Sequence, residues 1–117
     1  MKVKSLEHAI EFFVRSALEQ EKYAFEDGSA KKYNKCSGNI AVCIKWLYKN
    51  DLLYKLTDFY EHQSKIVRCW AARYLLELDT ENSIKVLEKL VEEGYFNAQY
   101  VLKEWKEGTL DMDFFKQ

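Results

Sequence analysis

The sequence predicts an all-α fold, and three observations favour this class. The chain has 117 residues, no proline and only four glycines, which argues against a turn-dense β-sandwich or a disordered chain. Hydrophobic residues make up 48% and charged residues 32% of the chain, as in a globular domain with one core. Apolar residues recur at steps of three and four, which is the period of a helix. We therefore expect a single helical domain over residues 1–117, built from about six helices.

The first two predicted helices are long, and polar residues mark their ends. Ser5 stands where it can cap the first helix, and the Asp-Gly-Ser segment at residues 27–29 breaks the pattern after it. Asn50 and Asp51 stop the second helix and begin the next element. The first apolar stripe contains Leu6, Ala9, Ile10, Phe13, Ala17 and Leu18, and the second contains Cys36, Ile40, Cys43, Ile44 and Leu47.

A short third helix is predicted over residues 52–60, and a fourth follows the turn at residues 62–64. The fourth has the broadest apolar face of the chain, so we expect it to be central and nearly enclosed by its neighbours. Its inward residues are expected to be Ile66, Val67, Trp70, Ala71, Ala72, Tyr74, Leu75, Leu76 and Leu78.

Two further helices complete the predicted order. Asp79 or Thr80 begins the fifth helix, and Gly94 ends it in the left-handed conformation. The sixth runs over about residues 95–107 and ends at Gly108. Because the connections are short, we expect consecutive helices to form antiparallel hairpins.

The hairpins contain a weak internal repeat. Residues 71–75 match residues 98–102 at an offset of 27, and Leu56 and Phe59 match Ile84 and Leu87 at an offset of 28. Hairpins that cannot bury their apolar stripes alone stack into solenoids. The pattern predicts a short right-handed solenoid of about three antiparallel helical hairpins, and a plain helical bundle is the alternative.

The segment VRCWAARYLL at residues 67–76, followed by Asp79, resembles the second helix of a HEAT repeat, whose pattern is Val-Arg, Ala-Ala, Leu-Leu and a later Asp. The larger arrangement over about residues 51–108 is similar to a small bacterial family of HEAT-like single-domain proteins. Members of that kind of family often resemble immunity proteins of bacterial toxin systems. The resemblance implies a HEAT/armadillo-like solenoid and an ion pair between Arg68 and Asp79.

Charge is unevenly distributed along the chain. The formal net charge is −1, but residues 77–117 contain ten acidic residues and five lysines, which leaves about −5 there and about +4 in the remainder. This balance does not favour binding to nucleic acid or to a membrane surface. We expect the acidic last third to suit a basic partner.

The three cysteines are expected to be reduced core residues of a cytoplasmic protein. Cys36, Cys43 and Cys69 are odd in number, form no CxxC motif and lie among apolar residues. Arg68 and Arg73 lie near Cys69 in the sequence and lower a thiol pKa, so Cys69 is the cysteine to test for reactivity. We expect no signal peptide, because charged residues interrupt the first twenty positions, and no membrane span, because the apolar runs are too short.

Catalytic motifs such as GxGxxG, HExxH and GxSxG do not occur in the sequence, so we expect no enzyme activity, no cofactor and no metal site. The alternative is a small metal-binding or enzymatic helical protein. It would use His8 with Glu11, which share a helical face, or His62 with Glu61.

Aromatic residues make up 15% of the chain, more than the apolar stripes absorb, and such residues flanked by charge are typical of protein interfaces. The leading hypothesis is a non-catalytic, cytoplasmic protein-binding module, an immunity protein that neutralises a cognate bacterial toxin such as a nuclease. A scaffold subunit that docks through Phe114 and Phe115 is another alternative, although these residues are more simply explained as a cap on the last hairpin. The expected partner-binding residues are Arg73, Tyr95, Tyr100 and Glu104.

Overall fold

Helices account for the regular secondary structure of the computed structural model, which describes residues 2–25 and 30–117; no strand occurs in these ranges. The all-α prediction is therefore confirmed, while the break predicted at residues 27–29 lies outside the described residues. The helices are α1 (Leu6–Phe25), α2 (Ala30–Lys49), α3 (Lys65–Tyr74), α4 (Thr80–Glu92) and α5 (Phe96–Glu107), with 3-10 helices at Leu53–Phe59 and Phe114–Lys116.

The start of α1 is fixed by its own side chains. The Ser5 hydroxyl accepts a hydrogen bond from the His8 backbone N–H at 3.1 Å, which satisfies one of the unpaired donors of the first turn. His8 Nδ1 in turn accepts the backbone N–H of Lys4 at 3.1 Å. The predicted cap at Ser5 is confirmed.

Three helices end in the same way, with a residue in the left-handed region just beyond the last turn. These residues are Asp51 (φ 58°), Gly94 (φ 85°) and Gly108 (φ 75°), so the predicted stops at the two glycines are confirmed. Each is followed by a backbone hydrogen bond that reaches back five residues, the Schellman pattern. These bonds run from Leu52 N to Leu47 O at 2.8 Å, from Tyr95 N to Leu90 O at 2.9 Å and from Thr109 N to Glu104 O at 2.9 Å.

The chain divides into two compact units, residues 1–53 with 115–117 and residues 54–114. In the first unit, α1 packs on α2, and all five residues of the predicted α2 stripe are buried. Gln20 of α1 is also fully buried, and its amide donates to Ser37 Oγ at 2.6 Å and to the Tyr33 carbonyl at 3.2 Å. Leu18 is exposed, contrary to the prediction, because Ala17 and Gln20 occupy the inward side of that turn.

In the second unit, α3 packs on α4 and α5, and α4 packs on α5. Every residue of α3 is buried or half-buried, which agrees with the expected enclosure of this helix. Leu75 and Leu76 are fully buried, but Leu78 is 60% exposed because α3 ends at Tyr74 and the chain turns before α4 begins. None of the helices in the described ranges has the length and apolarity needed to cross a membrane.

The two leucines that follow α3 provide a test of this core. We expect Leu75→Ala to lower the free energy of unfolding by about 2–5 kcal/mol, because it removes a fully buried side chain and leaves a cavity. We expect Leu78→Ala to change it by no more than about 0.5 kcal/mol. Urea denaturation followed by circular dichroism measures both, and equal losses in the two variants would contradict the placement of Leu78 outside the core.

Candidate functional site

Two exposed aromatic rings lie on the outward side of α5. Phe96 and Tyr100 are one helical turn apart, and their side chains are 72% and 63% exposed, the largest fractions among the described large hydrophobic residues. The opposite side of the helix places Ala98 and Leu102 in the core. An exposed pair of this kind is unusual, because large rings gain most by burial.

Charged residues of both signs follow this aromatic pair along α5. Lys103 and Glu104 come about one turn after Tyr100, Lys106 and Glu107 come about two turns after it, and all four are exposed. Residues 54–114 carry twelve acidic and eight basic residues, a net charge of −4, whereas the other unit carries seven acidic and ten basic residues, a net charge of +3. We call Phe96, Tyr100, Glu104 and Glu107 the α5 face.

Of the predicted partner-binding residues, Tyr100 and Glu104 lie together on the α5 face. Tyr95 is half-buried at the start of the helix, where its hydroxyl accepts a hydrogen bond from Asn97 Nδ2 at 3.4 Å. Phe96 was not among the predicted contact residues. It stands four residues before Tyr100, so helical spacing alone places it on the same outward side of the helix and could have identified it.

Arg73, the fourth predicted contact, is engaged inside the chain. Its guanidinium donates to the carbonyl of Asp111 at 2.6 Å and to Met112 Sδ at 3.1 Å. It also lies 4.6 Å from the centre of the Tyr74 ring and 5.8 Å from that of Phe114. Burial lowers the pKa of Arg73 from its ordinary value, and the charges of Asp111 and Glu104 oppose that shift. Arg73 therefore holds the C-terminal segment against α3.

The ion pair that the HEAT resemblance implies for Arg68 does not form with Asp79. Arg68 Nη1 instead lies 3.2 Å from Glu93 Oε2, at the end of α4. Asp79 Oδ2 accepts the hydroxyl proton of Tyr60 at 2.9 Å. Arg68 extends to the C-terminal end of α4, whereas Asp79 precedes its first turn, so the two side chains serve opposite ends of that helix.

Tyr60 is the centre of a polar cluster with Asp79 and Ser83. Because the single hydroxyl proton of Tyr60 goes to Asp79, the Ser83 hydroxyl donates to the Tyr60 oxygen, at 2.9 Å. Ser83 is fully buried. Burial, together with the Asp79 carboxylate, raises the pKa of Tyr60 to about 12. A neutral phenol with satisfied hydrogen bonds connects α4 to the segment before α3, which is a structural role.

The residues proposed for metal binding make local contacts. His8 Nδ1 accepts a backbone N–H within the α1 cap, and His62 Nδ1 accepts the backbone N–H of Ser64 at 3.0 Å. In the part of the chain that the structure describes, no three His, Cys, Asp or Glu side chains are grouped closely enough to hold a metal ion.

The three cysteines are free and buried, as the sequence predicts. Burial raises the pKa of the Cys43 and Cys69 thiols to about 12. The positive charge of Arg73 acts against this shift at Cys69 but does not offset it. Desolvation of the Cys69 thiolate thus outweighs the charge of Arg73, and the reactivity of Cys69 stays a matter for the test below.

The two terminal phenylalanines fold back onto the chain. Phe115 is buried, and its ring lies edge-on to Tyr48 of α2, with the centroids 5.6 Å apart. Phe114 is half-buried and lies 6.1 Å from the Tyr74 ring of α3. Both rings contact helices, although Phe114 lies on α3 instead of on the last pair of helices.

Comparison with known proteins yields no relative. No family model matches the chain, and no curated protein or solved structure is significantly similar to it.

The hydroxyl of Tyr60 provides a test of the polar cluster. Tyr60→Phe leaves the buried Ser83 hydroxyl without its acceptor, so we expect the free energy of unfolding to fall by about 1–3 kcal/mol at pH 7. Tyr54→Phe is the control, because Tyr54 is 51% exposed, and should change it by no more than about 0.5 kcal/mol. Since folding raises the Tyr60 pKa, this stabilisation is present at neutral pH and is lost as the pH rises through about 12. Equal losses in the free energy of unfolding for Tyr60→Phe and Tyr54→Phe, measured by urea denaturation, would show that the polar cluster does not stabilise the fold.

The thiols provide a second test. Since burial raises the pKa of Cys43 and Cys69 to about 12, their thiolates are scarce at pH 8, and we expect both to resist iodoacetamide in the folded chain. In denaturant all three cysteines should be alkylated. Peptide mass spectrometry identifies each site, and rapid alkylation of Cys69 in the folded chain would show that its surroundings are open.

Proposed function

We propose that the protein is a non-catalytic binding module that captures another protein on the α5 face. The observation that carries the proposal is the pair of rings, Phe96 and Tyr100, exposed one turn apart on a helix whose other side is buried. Aromatic side chains give large contact area with little loss of rotamer freedom, and they are frequent among the residues that dominate binding energy.

Charge favours one kind of partner. The unit that contains the rings has a net charge of −4, and Glu104 and Glu107 lie on the same helix as the rings, beside Lys103 and Lys106. A partner with a basic surface would associate faster through charge attraction, and the aromatic rings would slow its dissociation. The nucleic-acid groove of a nuclease is one such surface.

The HEAT resemblance makes the proposal more specific. A short solenoid of HEAT-like hairpins presents the outer sides of successive helices to a partner, and α5 is the last α-helix of this chain. Together with the net negative charge of residues 54–114, this supports a cytoplasmic immunity protein that binds and neutralises a cognate bacterial toxin. The proposed mechanism is occlusion of the toxin's basic site, which needs no catalytic residue in the immunity protein.

Co-expression with the product of the adjacent gene tests this function. We expect the two proteins to copurify at low salt and to separate as the salt concentration rises, because screening weakens charge attraction. We also expect the chain to restore growth of cells that the gene product alone inhibits. A gene product that neither binds nor is neutralised would contradict the immunity role.

Substitutions on the α5 face test the surface itself. Tyr100→Ala with Glu104→Lys should weaken binding to the copurifying protein by at least about tenfold, since truncation of a central aromatic residue costs about 2 kcal/mol or more. Tyr100→Ala should hardly change thermal unfolding, because this side chain is exposed, whereas Glu104→Lys should lower the midpoint slightly, because it replaces a negative charge that acts on Arg73 with a positive one.

Tyr54→Ala with Glu11→Lys is the matched control, because it removes an exposed tyrosine and reverses an exposed negative charge, and neither residue belongs to α5. Binding measured by isothermal titration calorimetry should be unchanged in this control. An equal loss of affinity in both double variants would show that charge alone, and not the α5 face, governs capture.

A further inference from the structure

An open groove lies between α4 and α5 and adjoins the α5 face. It has a volume of about 600 Å³, and Val91 of α4 and Leu102 of α5 form its apolar floor. Val91 is half-buried, so part of this floor is open to solvent. Glu107 lines the groove and also belongs to the α5 face. The groove is therefore continuous with the proposed capture surface.

The two walls of the groove carry opposite net charge. The α4 wall contains Glu88 and Glu92, a charge of −2, whereas the α5 wall contains Lys103, Lys106 and Glu107, a charge of +1. All five side chains are exposed. Within the part of the chain that the structure describes, none of the five forms an ion pair. The charges of both walls are thus available to a molecule that binds in the groove.

Opposite walls make the groove complementary to a second copy of itself. If a two-fold axis runs parallel to the groove, α4 of each copy faces α5 of the other. The acidic wall of one copy then meets the basic wall of the other at two equivalent places. A two-fold axis across the groove would instead place like charges together, so the charge pattern favours the first arrangement.

The same arrangement covers an exposed aromatic ring. Phe96 stands seven residues before Lys103, so both side chains project from the same side of α5. The Phe96 side chain is 72% exposed. A second copy seated against the α5 wall removes part of this apolar surface from water, which favours association.

The size of the surface sets the strength of the association. The two helices have 13 and 12 residues, so the face that they form is about 20 Å long and about 20 Å wide. Two such faces bury about 800 Å² in total, less than the roughly 1,200 Å² of stable complexes. We therefore expect a reversible dimer with a dissociation constant between about 10 µM and about 1 mM.

We propose that two copies of the protein associate through this groove, with the α4 wall of each copy against the α5 wall of the other. Glu88 of each copy pairs with Lys103 of the other. A uniformly basic partner would match the α4 wall but be repelled by the α5 wall, whereas a second copy matches both. Because the dimer covers Phe96 and Glu107, its formation competes with capture of a partner on the α5 face.

Charge reversal in the full chain tests the pairing. Sedimentation velocity should show the average mass of the unmodified chain rising towards that of two copies as the concentration approaches about 1 mM. Glu88→Lys or Lys103→Glu alone places like charges at both contacts, so we expect the dissociation constant to rise at least tenfold. An equimolar mixture of the two variants has opposite charges at both contacts, and its affinity should return to within about threefold of the unmodified chain.

Glu61→Lys and Lys45→Glu are the matched controls, because both residues are exposed and neither lines the groove. Each control should associate as the unmodified chain does, and circular dichroism shows that every variant is folded. An unmodified chain that stays monomeric at about 1 mM would overturn the proposal and leave the groove to another molecule. Single variants that associate undiminished, or a mixture no tighter than either variant alone, would overturn it too. These measurements use the purified chain alone, so their failure is distinct from a failure of the capture function.

Discussion

The enclosure of α3 is the constraint on which the second unit depends. This helix has ten residues, none of them exposed, yet it carries two arginines. A guanidinium cannot lose its charge at any ordinary pH, so each arginine must find compensating groups when the helix is buried. Arg68 finds Glu93 at the end of α4, and Arg73 finds the backbone and side chains of residues 111–114. The partners of one buried helix thus determine where two other segments lie.

The same enclosure explains which surface remains for binding. Because α3 is covered by α4, α5 and the C-terminal segment, its side chains are largely buried, and the contacts of Arg73 stabilise the fold. The outward side of α5 has no such cover. The inward side of α5 buries Ala98 and Leu102. This orientation of the helix leaves Phe96 and Tyr100 in solvent. The proposed capture surface is therefore a consequence of how α5 packs on the buried helix.

Features that depend on neighbouring residues in the chain could be predicted from the sequence. Ser5, Gly94 and Gly108 act within one helical turn, so their residue types alone indicate the helix ends. The buried stripe of α2 follows from helical spacing in the same way. Exposure of Tyr100 and Glu104 also followed from their position beside the inward stripe of α5.

Features that depend on contacts between distant segments could not be predicted from the sequence. The partner of Arg68 is 25 residues away, and that of Arg73 is 38 residues away, so nothing in the local pattern distinguishes Glu93 from Asp79 or a surface arginine from an internal one. Leu78 fits the helical period of α3, but the helix ends before it because the chain must turn into α4. Cys69 has cations nearby in the sequence, and only its packing shows that desolvation dominates.

Arginine modification tests the central claim that both arginines of α3 serve the fold and that the binding surface lies elsewhere. The chain has three arginines, and Arg15 on α1 is exposed, so it is an internal reference. Phenylglyoxal treatment of the folded protein, followed by peptide mass spectrometry, gives the relative rate at each one. The account predicts that Arg15 reacts at least tenfold faster than Arg68 and Arg73. Modification of Arg73 as rapid as that of Arg15 would contradict it, because the guanidinium would then be open to solvent and available to a partner.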